Sequence, residues 1–189
     1  GAFFSADGAA CRKCEPGSMP GDNRTKCLPC ASAYSAGDSF WYSDNGAACR
    51  RCPAGYEPNG KRTSCTPCVD AYSEDGRQCQ SCAEGSQPTS ALFATNCTKC
   101  SVVGDKHISR DGALCITCDV GQEPNAARSD CANCDVGHKS DGSSCIACLP
   151  GSEPTADKSD CLACMFKDKG DNLYSLHGIE CRQCNPGEQ

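Results

Sequence analysis

Large apolar side chains are scarce in this sequence. Val, Ile, Leu and Phe together supply 21 of 189 residues, and there is one Trp. Below about 20% in such residues a chain buries too little apolar surface to offset its conformational entropy. A conventional core of the size normal at this length is therefore excluded. No apolar run approaches the roughly 20 residues that cross a bilayer, so no membrane insertion is expected within these residues. The net charge of -6 is spread along the chain and the basic residues form no stripe, which argues against a nucleic acid partner. Helical periodicity is also missing. No charged, apolar leader precedes the opening Gly-Ala-Phe-Phe, and we read the sequence as an internal or processed stretch of an exported protein.

Cysteine is what the chain has instead. All 22 cysteines fall in Cys-x-x-Cys pairs, eleven in number, beginning at Cys11, Cys27, Cys49, Cys65, Cys79, Cys97, Cys115, Cys131, Cys145, Cys161 and Cys181. Cysteine above about 8–10% marks a disulfide scaffold, and disulfides at this density persist only in secreted, cell-surface or lumenal settings. Covalent crosslinks take the place of a core.

Two kinds of segment alternate. Proline segments read Cys-x-x-Cys-x-x-Gly-x-x-Pro and close on another pair, as in CRKCEPGSMPGDNRTKCLPC (11–30) and CIACLPGSEPTADKSDCLAC (145–164). Their prolines, Pro20, Pro58, Pro88, Pro124 and Pro154, fix φ and withhold an N–H, so no broad sheet is expected. Glycine segments place a Gly three residues before the next cysteine: Gly8, Gly46, Gly76, Gly112, Gly142 and Gly178. Five of these follow Asp or Asn, the signature of a tight turn at positive φ. Phe4, Tyr42, Tyr72, His107, His138 and Tyr174 precede those turns, and we expect them to cover the neighbouring disulfide. The domain organisation is one continuous array over 1–189, with repeats 11–48, 49–78, 79–114, 115–144 and 145–180 and partial repeats 1–10 and 181–189.

Loop lengths bear on connectivity. Between inner cysteines of successive pairs lie 12, 18, 12, 10, 14, 14, 12, 10, 12 and 16 residues, every value even. Hairpins closed by directly opposed cysteines grow two residues at a time. Parity thus favours a daisy chain: Cys14–Cys27, Cys30–Cys49, Cys52–Cys65, Cys68–Cys79, Cys82–Cys97, Cys100–Cys115, Cys118–Cys131, Cys134–Cys145, Cys148–Cys161 and Cys164–Cys181. Cys11 and Cys184 are then left to bond outside these residues. The competing pattern, of the type Cys11–Cys27 with Cys14–Cys30, stays open on sequence alone. In either scheme a bridge closing a loop of this size contributes about 3 kcal/mol in the chain-entropy description. The fold class expected is small and disulfide-rich: a linear array of short β-hairpin loops with little regular secondary structure and no large core. Drawn out as an extended rod, with each hairpin touching only its neighbours, it would reach about 100 Å.

Doubled Cys-x-x-Cys also spells a four-thiolate zinc site. Five such sites would each add roughly -2 to an acidic chain without local Lys or Arg to offset it. Thioredoxin-like chemistry needs a Cys-x-x-Cys at a helix start, and a calcium loop needs converging oxygens in an Asp-x-Asp-x-Asp-Gly pattern; neither occurs. His107, His138 and His177 are far apart, and no Ser-His-Asp set stands out. No catalytic residue, metal or cofactor is expected. Two glycan acceptors are present, Asn23-Arg-Thr and Asn96-Cys-Thr. The aromatic run Phe40, Tyr42 and Trp41 lies in the longest loop, where covering that hairpin is the simpler role.

CPAGYEPNGKRTSC (52–65) and CVDAYSEDGRQC (68–79) resemble the single-disulfide modules of furin-like regions in growth factor receptors. The whole chain, with its Cys-x-x-Cys joints and Gly-x-x-Pro loops, is more similar to the cysteine-rich surface proteins of protists, the variant surface proteins of Giardia and the immobilisation antigens of ciliates. The resemblance implies an extracellular, cell-surface glycoprotein, non-enzymatic, building a coat, appendage or fibre. Its partners would be copies of itself or other surface proteins in head-to-tail or lateral assembly. A receptor ectodomain that binds a protein ligand is the alternative.

Overall fold

The computed structural model describes residues 3–33, 40–166 and 173–183. Short antiparallel hairpins follow one another along the chain, and no described sheet exceeds two strands. Proline hairpins pair Ser18–Pro20 with Cys27–Pro29, Tyr56–Pro58 with Cys65–Pro67, Ser86–Pro88 with Cys97–Lys99, Gln122–Pro124 with Cys131–Asn133, and Ser152–Pro154 with Cys161–Ala163. Glycine hairpins are shorter still: Phe3–Phe4 with Arg12–Lys13, Trp41–Tyr42 with Arg50–Arg51, His107–Ile108 with Ile116–Thr117, His138–Lys139 with Ile146–Ala147, and Leu173–Tyr174 with Arg182–Gln183. At 69–82 the glycine hairpin is reduced to the bridge Tyr72↔Gln80. Single turns of helix at Cys100–Val103 and Cys164–Phe166 follow two of the proline hairpins.

Proline sets the strand length. In four hairpins it ends the first strand opposite the cysteine that opens the second: Pro20↔Cys27, Pro58↔Cys65, Pro124↔Cys131 and Pro154↔Cys161. Without an N–H it cannot extend the ladder. The chain turns back through a residue in the left-handed region, Arg24, Arg62, Phe93, Arg128 or Lys158, with φ between 52° and 60°. A non-glycine residue there costs about 1 kcal/mol, offset by hydrogen bonds that close the turn. Arg62 N–H donates to the Asn59 carbonyl at 2.9 Å, and Arg128 N–H to the Asn125 carbonyl at 2.9 Å. The side chains of Asn59 and Asn125 accept from the N–H groups of Thr63 and Ser129.

The disulfides join Cys14–Cys27, Cys30–Cys49, Cys52–Cys65, Cys68–Cys79, Cys82–Cys97, Cys100–Cys115, Cys118–Cys131, Cys134–Cys145, Cys148–Cys161 and Cys164–Cys181. Their geometry differs from the opposed-cysteine picture that parity suggests. Cys27 lies across from Pro20, while its partner Cys14 sits outside the ladder, ahead of Ser18. Even loop lengths are therefore not enforced by strand pairing. The constant 12-residue spacing of four loops comes from a six-residue turn that recurs in the proline hairpins at 21–26, 59–64, 125–130 and 155–160. In glycine hairpins the cysteine falls within the turn itself.

Sulfur fills the interior. Among the described residues, the buried apolar side chains apart from cysteines are Pro88, Ala94 and Ile108, and five serines are also buried. The chain divides into two compact units, Gly1–Cys82 with Gln87–Thr98, and Ala83–Ser86 with Lys99–Gln189. Within each, a proline hairpin touches more than its immediate neighbour. In the first unit, Gly17 faces the Lys61 carbonyl and Gly55 the Phe93 carbonyl. In the second, Gly85 faces the Ala127 carbonyl and Gly121 the turn at Asp157 and Lys158. Contacts thus skip over the intervening glycine hairpin, correcting the neighbour-only expectation.

The turn glycines make the closest approach. A Cβ on Gly46 would lie 1.8 Å from the Cys14 carbonyl oxygen, and one on Gly76 would lie 1.8 Å from that of Cys52. Both residues have positive φ, at 71° and 74°. Gly46→Ala should destabilise its unit by more than about 3 kcal/mol, through combined overlap and backbone strain. Gly8→Ala, with nothing within 4 Å, should cost only about 1 kcal/mol from φ. Denaturant unfolding of the two variants, disulfides intact, measures the difference. Equal losses would contradict this packing.

Candidate functional site

A serine sits at the centre of each joint between hairpins, and it was not singled out from the sequence. Ser43, Ser73, Ser109, Ser140 and Ser175 are all buried. Each carbonyl accepts the N–H of the glycine in the preceding proline hairpin: Gly17 to Ser43 at 2.7 Å, Gly55 to Ser73 at 2.8 Å, Gly85 to Ser109 at 2.8 Å, Gly121 to Ser140 at 2.9 Å and Gly151 to Ser175 at 2.7 Å. The serine N–H donates forward to the turn of the next proline hairpin, Ser43 to the Arg62 carbonyl at 2.9 Å and Ser109 to that of Arg128 at 2.8 Å. At Ser43, Ser109 and Ser140 the hydroxyl also accepts from the turn glycine N–H. One small residue therefore ties three hairpins through backbone groups. The only sequence signal was a Ser two or three residues ahead of each turn glycine.

Aligned on those serines, the preceding residues are Phe4, Tyr42, Tyr72, Ile108, Lys139 and Tyr174. His107 and His138 stand one position earlier than expected, opposite Thr117 and Ala147. Two of these rings meet cross-strand cations: Arg50 lies 5.3 Å from the Tyr42 ring centre, and Arg182 lies 5.5 Å from that of Tyr174. Arg51 stacks over Trp41 at 5.0 Å. Phe40, Trp41 and Tyr42 are all half-buried, and Phe40 lines a groove of about 260 Å³ with Tyr72 and Gln80. His177 occupies the turn position held elsewhere by Asp or Asn. The three histidines belong to separate hairpins.

A second unrecognised element is the Glu of Gly-x-Glu-Pro. Its carboxylate accepts the N–H of the cysteine that closes the following glycine hairpin: Glu57 from Cys79 at 2.9 Å, Glu123 from Cys145 at 2.8 Å and Glu153 from Cys181 at 2.7 Å. Met19 and Gln87 stand at this position in the other two proline hairpins. The left-handed basic residues reach backward. Arg128 donates to the carbonyls of Gly104 and Asp105 at 3.0 and 2.8 Å, and Lys158 donates to that of Cys134.

Acidic side chains cap the exposed turns. The carboxylates of Asp7, Asn45's amide counterpart, Asp75, Asp111 and Asp141 accept, two residues on, from the N–H groups of Ala9, Ala47, Arg77, Ala113 and Ser143. Asp141 is held at about 2 by the Ser143 hydroxyl, Lys106 and the Ser143 N–H. Asp157 is held at about 2 by the Thr155 hydroxyl and the N–H and hydroxyl of Ser159. Arg110 and Lys139 lower Asp130 and Asp160. These pairs are solvent-exposed and of small energetic weight.

Among the other predicted residues, the Asn23 side chain is exposed and Thr25 donates its hydroxyl to Oδ1 at 3.1 Å. Asn96 is exposed beside the bridged Cys97. Cys11 is a free, exposed thiol, and Cys184 lies outside the described residues. Among the described residues no group of three or more His, Cys, Asp or Glu is placed to hold a metal ion. No known family's sequence profile matches the chain, and no curated protein matches it significantly in sequence.

Two outcomes follow. Glu123→Ala should raise amide exchange at Cys145 about tenfold, from loss of one charge-assisted bond of roughly 1.5 kcal/mol, and leave Cys79 unchanged. Unaltered exchange at Cys145 would show that the carboxylate carries no weight. Asp141 and Asp157 have folded values below the ordinary 3.8. Their stabilisation is complete above about pH 4 and is lost as pH falls toward 2. Carboxyl NMR titration should give midpoints near 2, and midpoints at 3.8 or higher would contradict the capped turns.

Proposed function

We propose that this chain is a non-enzymatic, glycosylated repeat of an extracellular surface coat, appendage or fibre, of the kind found in the cysteine-rich surface proteins of protists. Ten disulfides belong to an oxidising, extracellular or secreted setting. Among the described residues no helix is long and apolar enough to cross a membrane. The observation that carries the reading is the joint itself. Serine, glycine and cysteine backbones recur and are buried, whereas exposed positions differ from repeat to repeat. Such a construction conserves linkage and leaves the outer face free to vary. Short crosslinked loops leave little chain able to open to a protease, and Asn23 and Asn96 are accessible for N-linked glycans.

One observation favours a receptor-like binding module. The longest proline turn brings Leu92 into a bridge with Val69, and Phe93 packs on Tyr56 with ring centres 5.1 Å apart. Val69, Leu92 and Phe93 are 60%, 46% and 48% exposed, a local apolar patch suited to a protein ligand.

Material from the source organism separates the readings. The coat or fibre reading expects polymers or ordered layers on the outer face of the cell, with N-linked sugar at Asn23 and Asn96. Monomeric protein bound one-to-one to a different protein, and released by Phe93→Asp, would overturn it.

A further inference from the structure

Ser73 differs from three of its counterparts at one atom. At Ser43, Ser109 and Ser140 the hydroxyl accepts the N–H of the turn glycine at 2.9 to 3.1 Å. Ser73 is 2% exposed, and its hydroxyl finds no hydrogen-bond partner among the described residues. Leaving an enclosed hydroxyl unpaired is costly, and native structures seldom do so. The surrounding hairpin is also distinct. Its ladder is reduced to the bridge Tyr72↔Gln80, and residues 69–72 form the shortest linker between a proline hairpin and its serine. Beside that bridge opens a groove of about 260 Å³, with Ser73 in its lining. Ser175 shares the unpaired hydroxyl, but the described lining of its groove holds no Phe or Tyr.

Two kinds of surface meet in the groove at Ser73. Phe40, from the preceding glycine segment, and Tyr72 are half-buried and supply aromatic walls. The rest of the lining is polar and exposed: Glu74, Asp75, Arg77, Gln78 and Gln80. Asp75 and Arg77 hold each other. Oδ2 of Asp75 lies 2.8 Å from Nε of Arg77, and Oδ1 accepts the Arg77 backbone N–H at 3.1 Å. Their charges are thereby matched and their orientation fixed, with carboxylate lone pairs and guanidinium N–H groups to spare. We propose that this groove is a saccharide-binding site that seats a neutral pyranose ring of a glycan.

The chemistry of the lining selects this class. Sugar hydroxyls donate and accept at once, and the carboxylate, guanidinium and amide groups here answer both roles. One face of a pyranose carries C–H groups, whose slight positive charge suits the negative face of an aromatic ring. The volume falls just below the roughly 300–1,000 Å³ of pockets for drug-sized molecules, which fits one sugar ring. Other ligands fit less well. An anion would meet Glu74 and Asp75, with Arg77 as the one cation in the described lining. An apolar ligand would strip water from five polar side chains. A cationic side chain would gain only Glu74, since Asp75 is already matched by Arg77. A coat repeat and a receptor module can each carry such a site, so its failure leaves both readings of function standing.

The test is an amide chemical-shift titration of the full, disulfide-bonded chain. The probes are the methyl glycosides of glucose, galactose, mannose and N-acetylglucosamine, with butylammonium chloride as the cationic comparison. Each is added to about 50 mM, well above the roughly millimolar Kd expected of so small a ligand. At least one glycoside should shift Tyr72, Ser73, Arg77 and Gln80 saturably. Phe40→Ala, which removes one aromatic wall, should weaken that binding about tenfold. Gln80→Ala should also weaken it, and keeps the test decisive if Phe40→Ala misfolds: the Gln80 side chain is exposed and the bridge to Tyr72 is made by backbone atoms. Amide shifts at Ser43 and Gly55 report that the fold is retained. No shift with any of the four glycosides would overturn the site. So would binding of butylammonium alone, or glycoside shifts that persist unchanged in the folded variants.

Discussion

Everything in this molecule depends on a covalent constraint: a disulfide at every hairpin boundary, standing where other folds have an apolar core. With 21 large aliphatic and phenyl residues in 189, hydrophobic burial at about 25 cal/mol per Å² has little surface to act on. Among the described residues the buried side chains are those of at least one cysteine from every bridge, five serines, Pro88, Ala94 and Ile108. Each bridge restricts the unfolded chain over a loop of 11 to 19 residues, which is worth about 3 kcal/mol in the entropy description. The stabilising contribution is thereby spread evenly along the chain.

Crosslinks limit the chain without specifying how one hairpin meets the next. That second task falls to backbone hydrogen bonds made in tight quarters. Glycine is required where the Cys14 and Cys52 carbonyls approach Gly46 and Gly76, and a small buried serine leaves its carbonyl and N–H within reach of adjoining hairpins. Because those contacts are local and repeated, side chains on the outside change without disturbing them. A surface that varies over an unchanging joint suits a protein whose outer face meets the environment.

Much of the architecture was legible in the sequence, and the rest was not, for identifiable reasons. Cys-x-x-Cys spacing and Asp-Gly pairs exposed the hairpin order, the turns and the sequential bridging, since each depends on a residue type with few alternative uses. Parity pointed to the bridging order although its premise, cysteines facing each other across a ladder, does not hold at Cys14 and Cys27. The serine joint escaped notice because its work is done by main-chain atoms that every residue possesses. Aromatic character points to His107 and His138, whereas Ile108 and Lys139 occupy the position next to the buried serine. Glu57, Glu123 and Glu153 were hidden for a different reason: their partners lie 22 to 28 residues away, and no local pattern marks an acceptor for so distant an N–H.

The central claim, that crosslinks rather than an apolar interior hold the fold, is tested most directly by reduction under otherwise native conditions. The chain, fully reduced and alkylated at neutral pH without denaturant, should lose amide-exchange protection throughout, including at Ser43, Ser109 and Ser140, and its NMR dispersion should collapse. Retention of native protection at those serines after every disulfide is broken would show that packing alone suffices, and would contradict the account.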